Sequence, residues 1–303
     1  MIISFLILKS GVFYKQMKKA YKNPDAITYY IKEREYFGWR PRGERAVKFA
    51  EIKPGDYVLD LCCGPGMVTK VIREVVGDKG KIVGIDISPK FIKYANQLCN
   101  YPNVSFYKGN VQDFDTYTHA EKFDAIVLLA SWYWIKNKDQ LLKKIKLNLK
   151  PKGRLLISLS ADNLKNPQTH QFFLHYRSNL KRVISETFPD IDPSYLDGLT
   201  TANEEYFNEV ISQVCHKGYK LCSKNETKRQ LTLADKLFTY ENPARTEWVG
   251  NFSSKVRYQI IKDALTKTGS ELKNLQTIER HTYYLEFCTC TDSLLEDLKT
   301  QDQ

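Results

Sequence analysis

The chain has 303 residues, 42 % of them hydrophobic, and a formal net charge of +11 at pH 7. That length and apolar content support a substantial core, in one large domain or a domain with an elaborated cap, and exclude a disordered or fibrous chain. The basic balance favours an anionic partner, but the lysines are spread along the whole sequence rather than gathered into a stripe, the pattern of a solvated basic surface.

In chain order, the first feature is an apolar run from Ile2 to Leu8. It is far shorter than the roughly 20 residues of a membrane span and lacks the basic start and small-residue cleavage site of a signal peptide. It reads as a docking strand or a frayed end, with a weak membrane-surface tether as the alternative, and Met17 offers a second start site. Residues 1–50 read as an N-terminal helical segment and 51–303 as the main domain. From Pro54 to about Ser160, short apolar runs alternate with amphipathic stretches, as in a parallel sheet covered by helices. "DYVLDL" is a strand, and "GMVTKVIREVVG" is a helix with Val68, Val71, Ile72 and Val75 on one face before a glycine stop. "KIVGIDIS" is the second strand, followed by a helix with Pro89 in its first turn.

"NVSFYKGNV" is a third strand, and "FDAIVLLAS" a fourth, apolar for long enough to be buried on both faces. "QLLKKIKLNLKPKGRLLISLSA" reads as helix, Pro-Lys-Gly turn and fifth strand. The order is that of a doubly wound α/β sheet, which binds ligands at the carboxyl ends of its strands. Beyond Ala161 the texture changes to helical patterns rich in aromatic and basic residues, before "GYKLCSKNETKRQLTL" and "ERHTYYLEFCTC" return as strands. The helical stretch, residues 163–210, reads as a cap inserted after the fifth strand. Apart from Cys62-Cys63 and Cys288-Thr289-Cys290, the seven cysteines and five histidines show no spacing of a zinc site or disulfide framework. No metal is expected, and an odd cysteine count without a secretion signal points to a reducing, cytoplasmic setting.

The chemistry sits at the strand ends. The turn "CCGPGM" joins the first strand to the first helix, where glycines let a ligand approach the backbone and the helix N-terminus supplies donors. A second acid, Asp86, ends the second strand, placed to accept hydrogen bonds from a ribose diol. Asn110 follows the third strand, so three successive strand ends present polar groups to one crevice. A dinucleotide fingerprint requires a third glycine, and Gly64-Pro65-Gly66 is followed by Met67, Val68 and Thr69. The acid at the entrance, Asp60, suits a ligand with an ammonium group and is awkward for a pyrophosphate. An amino-acid cofactor is therefore expected.

"VLDLCCGPG", "IVGIDIS", "FYKGNVQDF", "FDAIVLLASWYWIKN" and "LKPKGRLLISLSA" resemble the successive motifs of class I S-adenosylmethionine-dependent methyltransferases, over about half the chain, from Glu51 to Ala161. The resemblance implies a Rossmann-like methyltransferase sheet with S-adenosyl-L-methionine as cofactor. Carried over by motif, Asp60, Cys62, Gly64 and Gly66 surround its methionine part, Asp86 and Ile87 the ribose, Asn110 and Val111 the adenine, and Ala130 faces the cofactor. Cys62 stands where glycine is common, and Asn110 replaces the usual aspartate. Both cysteines of the pair read as small packing residues rather than nucleophiles, since nothing near them in sequence lowers a thiol pKa.

The acceptor class is read from the loop after the fourth strand, "LLASWYWIKN". It lacks the Asn/Asp-Pro-Pro-aromatic signature of exocyclic-amine enzymes, the paired glutamates of arginine methyltransferases and the Pro-Cys pair of base C5 enzymes. With Trp134-Ile135 it resembles the loop of the trans-aconitate, juvenile hormone acid and malonyl-carrier-protein methyltransferases. "NPDAITYYIKEREYFGWRPRGERAV" and "NLKNPQTHQF" are similar to further segments of the trans-aconitate type. The resemblance implies a small-molecule or carrier-bound acid as partner, its carboxylate attacking without a base near neutral pH. Arg40, His170, Arg177 or Arg182 would hold the acid and Trp132, Tyr133 and Trp134 wall the pocket. No catalytic residue is assigned. The alternative, given the basic charge, is a methyltransferase acting on RNA or protein.

Overall fold

The computed structural model describes residues 24–118, 121–162, 164–198, 204–243, 246, 249–275 and 277–289. The apolar run Ile2–Leu8, Met17, Asn163 and Cys290 lie outside the described residues. The elements, in chain order, are helices α1 (Pro24–Phe37) and α2 (Arg40–Phe49), strand β1 (Tyr57–Leu61), α3 (Met67–Val76), β2 (Lys81–Asp86), α4 (Pro89–Leu98), β3 (Val104–Lys108) and β4 (Phe123–Leu129). They continue as α5 (Lys138–Asn148), β5 (Leu149–Asp162), α6 (Pro167–Thr187), α7 (Glu204–Cys215), β6 (Tyr219–Leu231), α8 (Leu233–Tyr240), α9 (Ser254–Glu271) and β7 (Ile278–Thr289).

The strands form one seven-stranded sheet in the order β3-β2-β1-β4-β5-β7-β6, whose first five members pair in parallel. Strand order reverses between β1 and β4, the switch point at which doubly wound sheets open a crevice. The α/β expectation is met. By compactness the described residues divide into two units, the first drawn from 24–37, 160–206 and 227–282, the second from 38–159, 207–226 and 283–289.

In the second unit β1 is buried at every position, because both faces of a parallel sheet carry helices. Val58, Ile72, Val76, Ile82, Val127 and Leu156 close into one core cluster with Tyr284. Helix α3 places Met67, Val71, Ile72 and Val76 in the interior and stops at Gly77, whose φ of 67° is the left-handed value a helix end favours. Ser88 caps α4 by accepting the Phe91 N–H, with Pro89 in the first turn as expected. The Pro-Lys-Gly turn before the fifth strand is absent as such. Strand β5 starts at Leu149, and pairing jumps from Phe123↔Leu149 to Ala125↔Arg154, so Pro151–Gly153 form an irregularity within the strand.

The first unit has its own core, in which Phe172, Tyr176, Leu180, Val183 and Ile184 of α6 meet Ile260, Ile261, Ala264 and Leu265 of α9. The buried amide of Asn179 donates to Thr268 Oγ1 at 3.0 Å, which fixes the pairing of the two helices. Helix α6 begins at Pro167 with Asn166 as its cap, inside the stretch read as helical from sequence.

Candidate functional site

The carboxyl ends of β1, β2 and β4 form the candidate cofactor site, all within the second unit. Asp60 is 2 % exposed and accepts a hydrogen bond from Thr69 Oγ1 at 2.6 Å, from the first turn of α3. Asp86 is 8 % exposed; its Oδ1 accepts the Ser88 N–H at 2.8 Å and its Oδ2 the Gly64 N–H at 3.0 Å. The end of β2 is thereby tied to the glycine turn after β1.

Backbone conformation at these strand ends is unusual. Gly64 and Gly66 have φ of 57° and 76°, and the non-glycine residues Cys62 and Ala130 have φ of 58° and 52°. Side chains rarely adopt the left-handed region, and such residues concentrate at binding sites. Ala130 is held there by its N–H, which reaches both the carbonyl and the hydroxyl of Ser158 at 3.0 Å. Gly66 is the N-cap residue before α3 and no side chain caps the helix, which leaves first-turn N–H groups available to a ligand.

The electrostatics identify what such a ligand should carry. Burial pushes Asp60 up to about 7, against the Thr69 hydrogen bond that lowers it, and the nearby Asp86 adds to the rise. Asp86 itself is raised to about 6 by burial, opposed by the Ser88 and Gly64 N–H groups. Burial, followed by the negative charge of Asp86, pushes the Cys62 thiol up, so it stays protonated. Two dry carboxylates with free lone pairs are matched by a ligand offering hydroxyl donors and a positive charge. S-adenosylmethionine, with a diol, an ammonium and a sulfonium, fits that donor set.

The other predicted residues are distributed as follows. Ile87, after β2, is 55 % exposed. Asn110 is exposed and its Oδ1 accepts the Gln112 N–H at 3.2 Å, while Val111 is buried. In the loop after β4, Trp132–Trp134 form a single 3-10 turn with Trp132 1 % exposed and its two neighbours half-buried. The Tyr133 hydroxyl donates to the Ala130 carbonyl, and its ring lies 5.0 Å from that of Trp134. Lys138 holds its ammonium 5.8 Å from the Trp132 ring and 3.0 Å from the Ile135 carbonyl.

Arg40 is exposed and forms ion pairs with Glu74 (2.5 Å) and Glu44 (3.3 Å) within the second unit. His170, Arg177 and Arg182 lie on α6 in the first unit, where His170 is exposed, Arg177 half-buried and Arg182 paired with Glu271 at 3.0 Å. Thr69, Ser88 and Ser158, which fix Asp60, Asp86 and Ala130, were not singled out from sequence. Thr69 carries a readable signal, a lone hydroxyl on the apolar face of α3. Cys222 also escaped notice; it is disulfide-bonded to Cys288 between the neighbouring strands β6 and β7, contrary to the expectation that no disulfide framework exists. Among the described residues there is no metal-ligating cluster and no helix long and apolar enough to cross a membrane.

A Rossmann-like sheet with acids at the ends of β1 and β2 is the arrangement expected of a class I S-adenosylmethionine-dependent methyltransferase. A family model described as a methyltransferase domain matches residues 52–232, and the chain belongs to that family. Among curated relatives, it is 25 % identical over 167 residues to a demethylmenaquinone methyltransferase of Lysinibacillus sphaericus, covering 55 % of this chain and 69 % of the relative. It is 32 % identical over 131 residues to a 2-phytyl-1,4-naphtoquinone methyltransferase of Synechococcus elongatus, covering 42 % of this chain and 55 % of that one. These matches thus span between about half and two-thirds of the relatives' lengths. Among solved structures, a putative methyltransferase of Bacillus halodurans aligns with a TM-score of 0.52 and 14 % identity, over 82 % of this chain and 99 % of that one. A methyltransferase of Thiobacillus denitrificans in complex with S-adenosyl-L-homocysteine aligns with a TM-score of 0.50 and 14 % identity, over 82 % and 91 %. At such identities the likeness concerns the fold alone.

Proposed function

We propose that the protein methylates a carboxylate oxygen of a small molecule or carrier-bound acid, with Asp60, Cys62, Gly64, Gly66, Asp86, Ile87, Asn110, Val111 and Ala130 around the cofactor. S-adenosylmethionine supplies an electrophilic methyl on sulfur, so the protein's tasks are to align the acceptor oxygen and exclude water. One observation carries the choice of acceptor: the loop after β4 offers no general base. The Tyr133 hydroxyl is committed as a donor to Ala130, the Cys62 thiol is held protonated, and Ser131–Ile135 contain no carboxylate or imidazole. A nucleophile already ionised at neutral pH needs none. Lys138 beside Trp132 adds a cation that favours an anionic acceptor.

A second reading, methylation of a quinone ring, is favoured by the names of the curated relatives and by the aromatic surface of Tyr133 and Trp134. To decide, the protein is incubated with cell extract and methyl-labelled S-adenosylmethionine, the small-molecule, protein and RNA fractions are separated, and each is treated with mild base. Label that leaves the small-molecule or carrier fraction as methanol is the expected result. Base-stable label in a lipid-soluble quinone, or label in RNA or bulk protein, refutes the carboxylate assignment.

A further inference from the structure

Thr69 places a hydroxyl on an otherwise apolar helix face. It is the third residue of α3, fully buried, on a helix that also sends Met67, Val71, Ile72 and Val76 into the interior of the second unit. A buried hydroxyl costs free energy unless it is hydrogen-bonded. Its partner is Asp60 Oδ2, at 2.6 Å. That is the length of a charge-assisted bond from a hydroxyl to a carboxylate.

Asp60 has little else to hold its charge. It lies in β1 between β2 and β4, and its register partners there, Gly84 and Val127, carry no polar side chain. Among the described residues, Thr69 is the one group that hydrogen-bonds the Asp60 carboxylate. The titratable groups facing it are Asp86, at the end of β2, and the thiols of Cys62 and Cys63, in the turn after β1. Burial, reinforced by the two acids, pushes both thiols up, so they stay neutral. Burial raises Asp60 and the like charge of Asp86 adds to the rise, while the Thr69 hydroxyl opposes them.

We propose that Thr69 is a positioning residue for methyl transfer, holding Asp60 in the ionised form that receives the ammonium group of S-adenosylmethionine. That Asp60 receives the ammonium rests on the cofactor placement proposed above; the coupling of Thr69 to Asp60 does not. A hydroxyl donating to Oδ2 favours the carboxylate over the neutral acid, whose proton goes to solvent. Without that donor, burial and Asp86 leave a neutral carboxyl, which offers the ammonium an oxygen but no charge. A hydrogen bond to a charged group changes such an equilibrium about tenfold, so its loss should move Asp60 ionisation up by about one pH unit.

The experiment is titration calorimetry of the full chain with S-adenosylhomocysteine, between about pH 6 and about pH 8.5, for wild type, Thr69→Val and Thr69→Ser. Valine should weaken binding about tenfold near pH 6 and by less than about twofold near pH 8.5, where Asp60 is largely ionised in both proteins. Serine, which keeps the donor, should follow wild type within about twofold throughout. Asp86 titrates in all three proteins and cancels from these ratios. A loss in Thr69→Val that is the same at both ends of the range, no loss at all, or Thr69→Ser as weak as Thr69→Val gives Thr69 a packing role and overturns the proposal. Should Thr69→Val fail to fold, Thr69→Ala replaces it with the same expectations. Asp60→Asn separates the two assignments: if it binds the ligand as wild type does, the ammonium is not at Asp60 and the cofactor placement fails. The coupling is then read without ligand, from the infrared band of the protonated Asp60 carboxyl, identified as the band Asp60→Asn lacks. Thr69→Val should raise the pH at which that band disappears, and a band lost at the same pH as in wild type defeats the coupling alone.

Discussion

Lowering the pH from about 8 to about 5 should weaken S-adenosylhomocysteine binding because the two acids proposed to hold it are protonated on the way. Asp86, at about 6, is ionised in only about one molecule in eleven at pH 5, a loss of about tenfold if the diol requires the carboxylate. Asp60, at about 7, is ionised in about one in a hundred there. The affinity should therefore fall by about ten to a thousandfold, according to how far the cofactor's ammonium depends on Asp60. Stabilising the ionised forms also expels protons on binding, about one per cofactor near pH 6.5. Titration calorimetry in buffers of different ionisation enthalpy measures both quantities, and Asp86→Asn should remove the lower step. A dissociation constant flat across this range, with no proton released, would refute the electrostatic account of the site.

The same two shifts make the ligand-free protein more stable in mild acid. Their folded pKa values lie above the usual carboxylate value, so their contribution is full below about 3.8 and is lost as pH rises through about 6 and about 7. Denaturant midpoints measured at pH 5.5 and pH 8 should differ in that direction, and Asp60→Asn should flatten the difference. Gly66→Ala should destabilise by about 2–5 kcal/mol: φ is 76°, and a Cβ there would meet the Ala95 Cβ at 2.9 Å and Phe106 at 3.1 Å. Thermal unfolding would show it, and a change under about 0.5 kcal/mol would count against the packing described. The acceptor loop should separate into two roles. Trp132→Ala, emptying a site 1 % exposed, should cost about 3–5 kcal/mol of stability, whereas Trp134→Ala should leave unfolding nearly unchanged and lower methyl transfer. Equal stability losses would place both rings in the core.

The parallel half of the sheet was legible because its signals are local. "DYVLDL", "KIVGIDIS" and "FDAIVLLAS" are apolar runs stopped by turn residues, and each became β1, β2 or β4. The acids Asp60 and Asp86 were found for the same reason, since a carboxylate at the end of such a run is conspicuous. The left-handed conformations of Cys62 and Ala130 were not legible: nothing in either side chain demands a positive φ, and the bonds from Ser158 to Ala130 come from another strand. Helices α8 and α9 were passed over although Ile260, Ile261, Ala264 and Leu265 recur at helical spacing, because Arg257 and Thr268 occupy the same buried face. The Pro-Lys-Gly triplet at 151–153 was read as a turn where strand β5 runs on across an irregularity. Arg34 gave no signal at all, being one more basic residue on a charged helix, and only its burial, with Nε and Nη2 lacking a hydrogen-bond partner among the described residues, distinguishes it.

A crystal structure of the protein with S-adenosylhomocysteine would test the central claim most directly. The ribose diol should lie within hydrogen-bond distance of the Asp86 carboxylate and the amino group beside the turn from Asp60 to Gly66, with Asp86→Ala losing affinity by about tenfold or more. An adenosyl group bound elsewhere, or Asp86→Ala binding it as tightly as wild type, would contradict the assignment of the site.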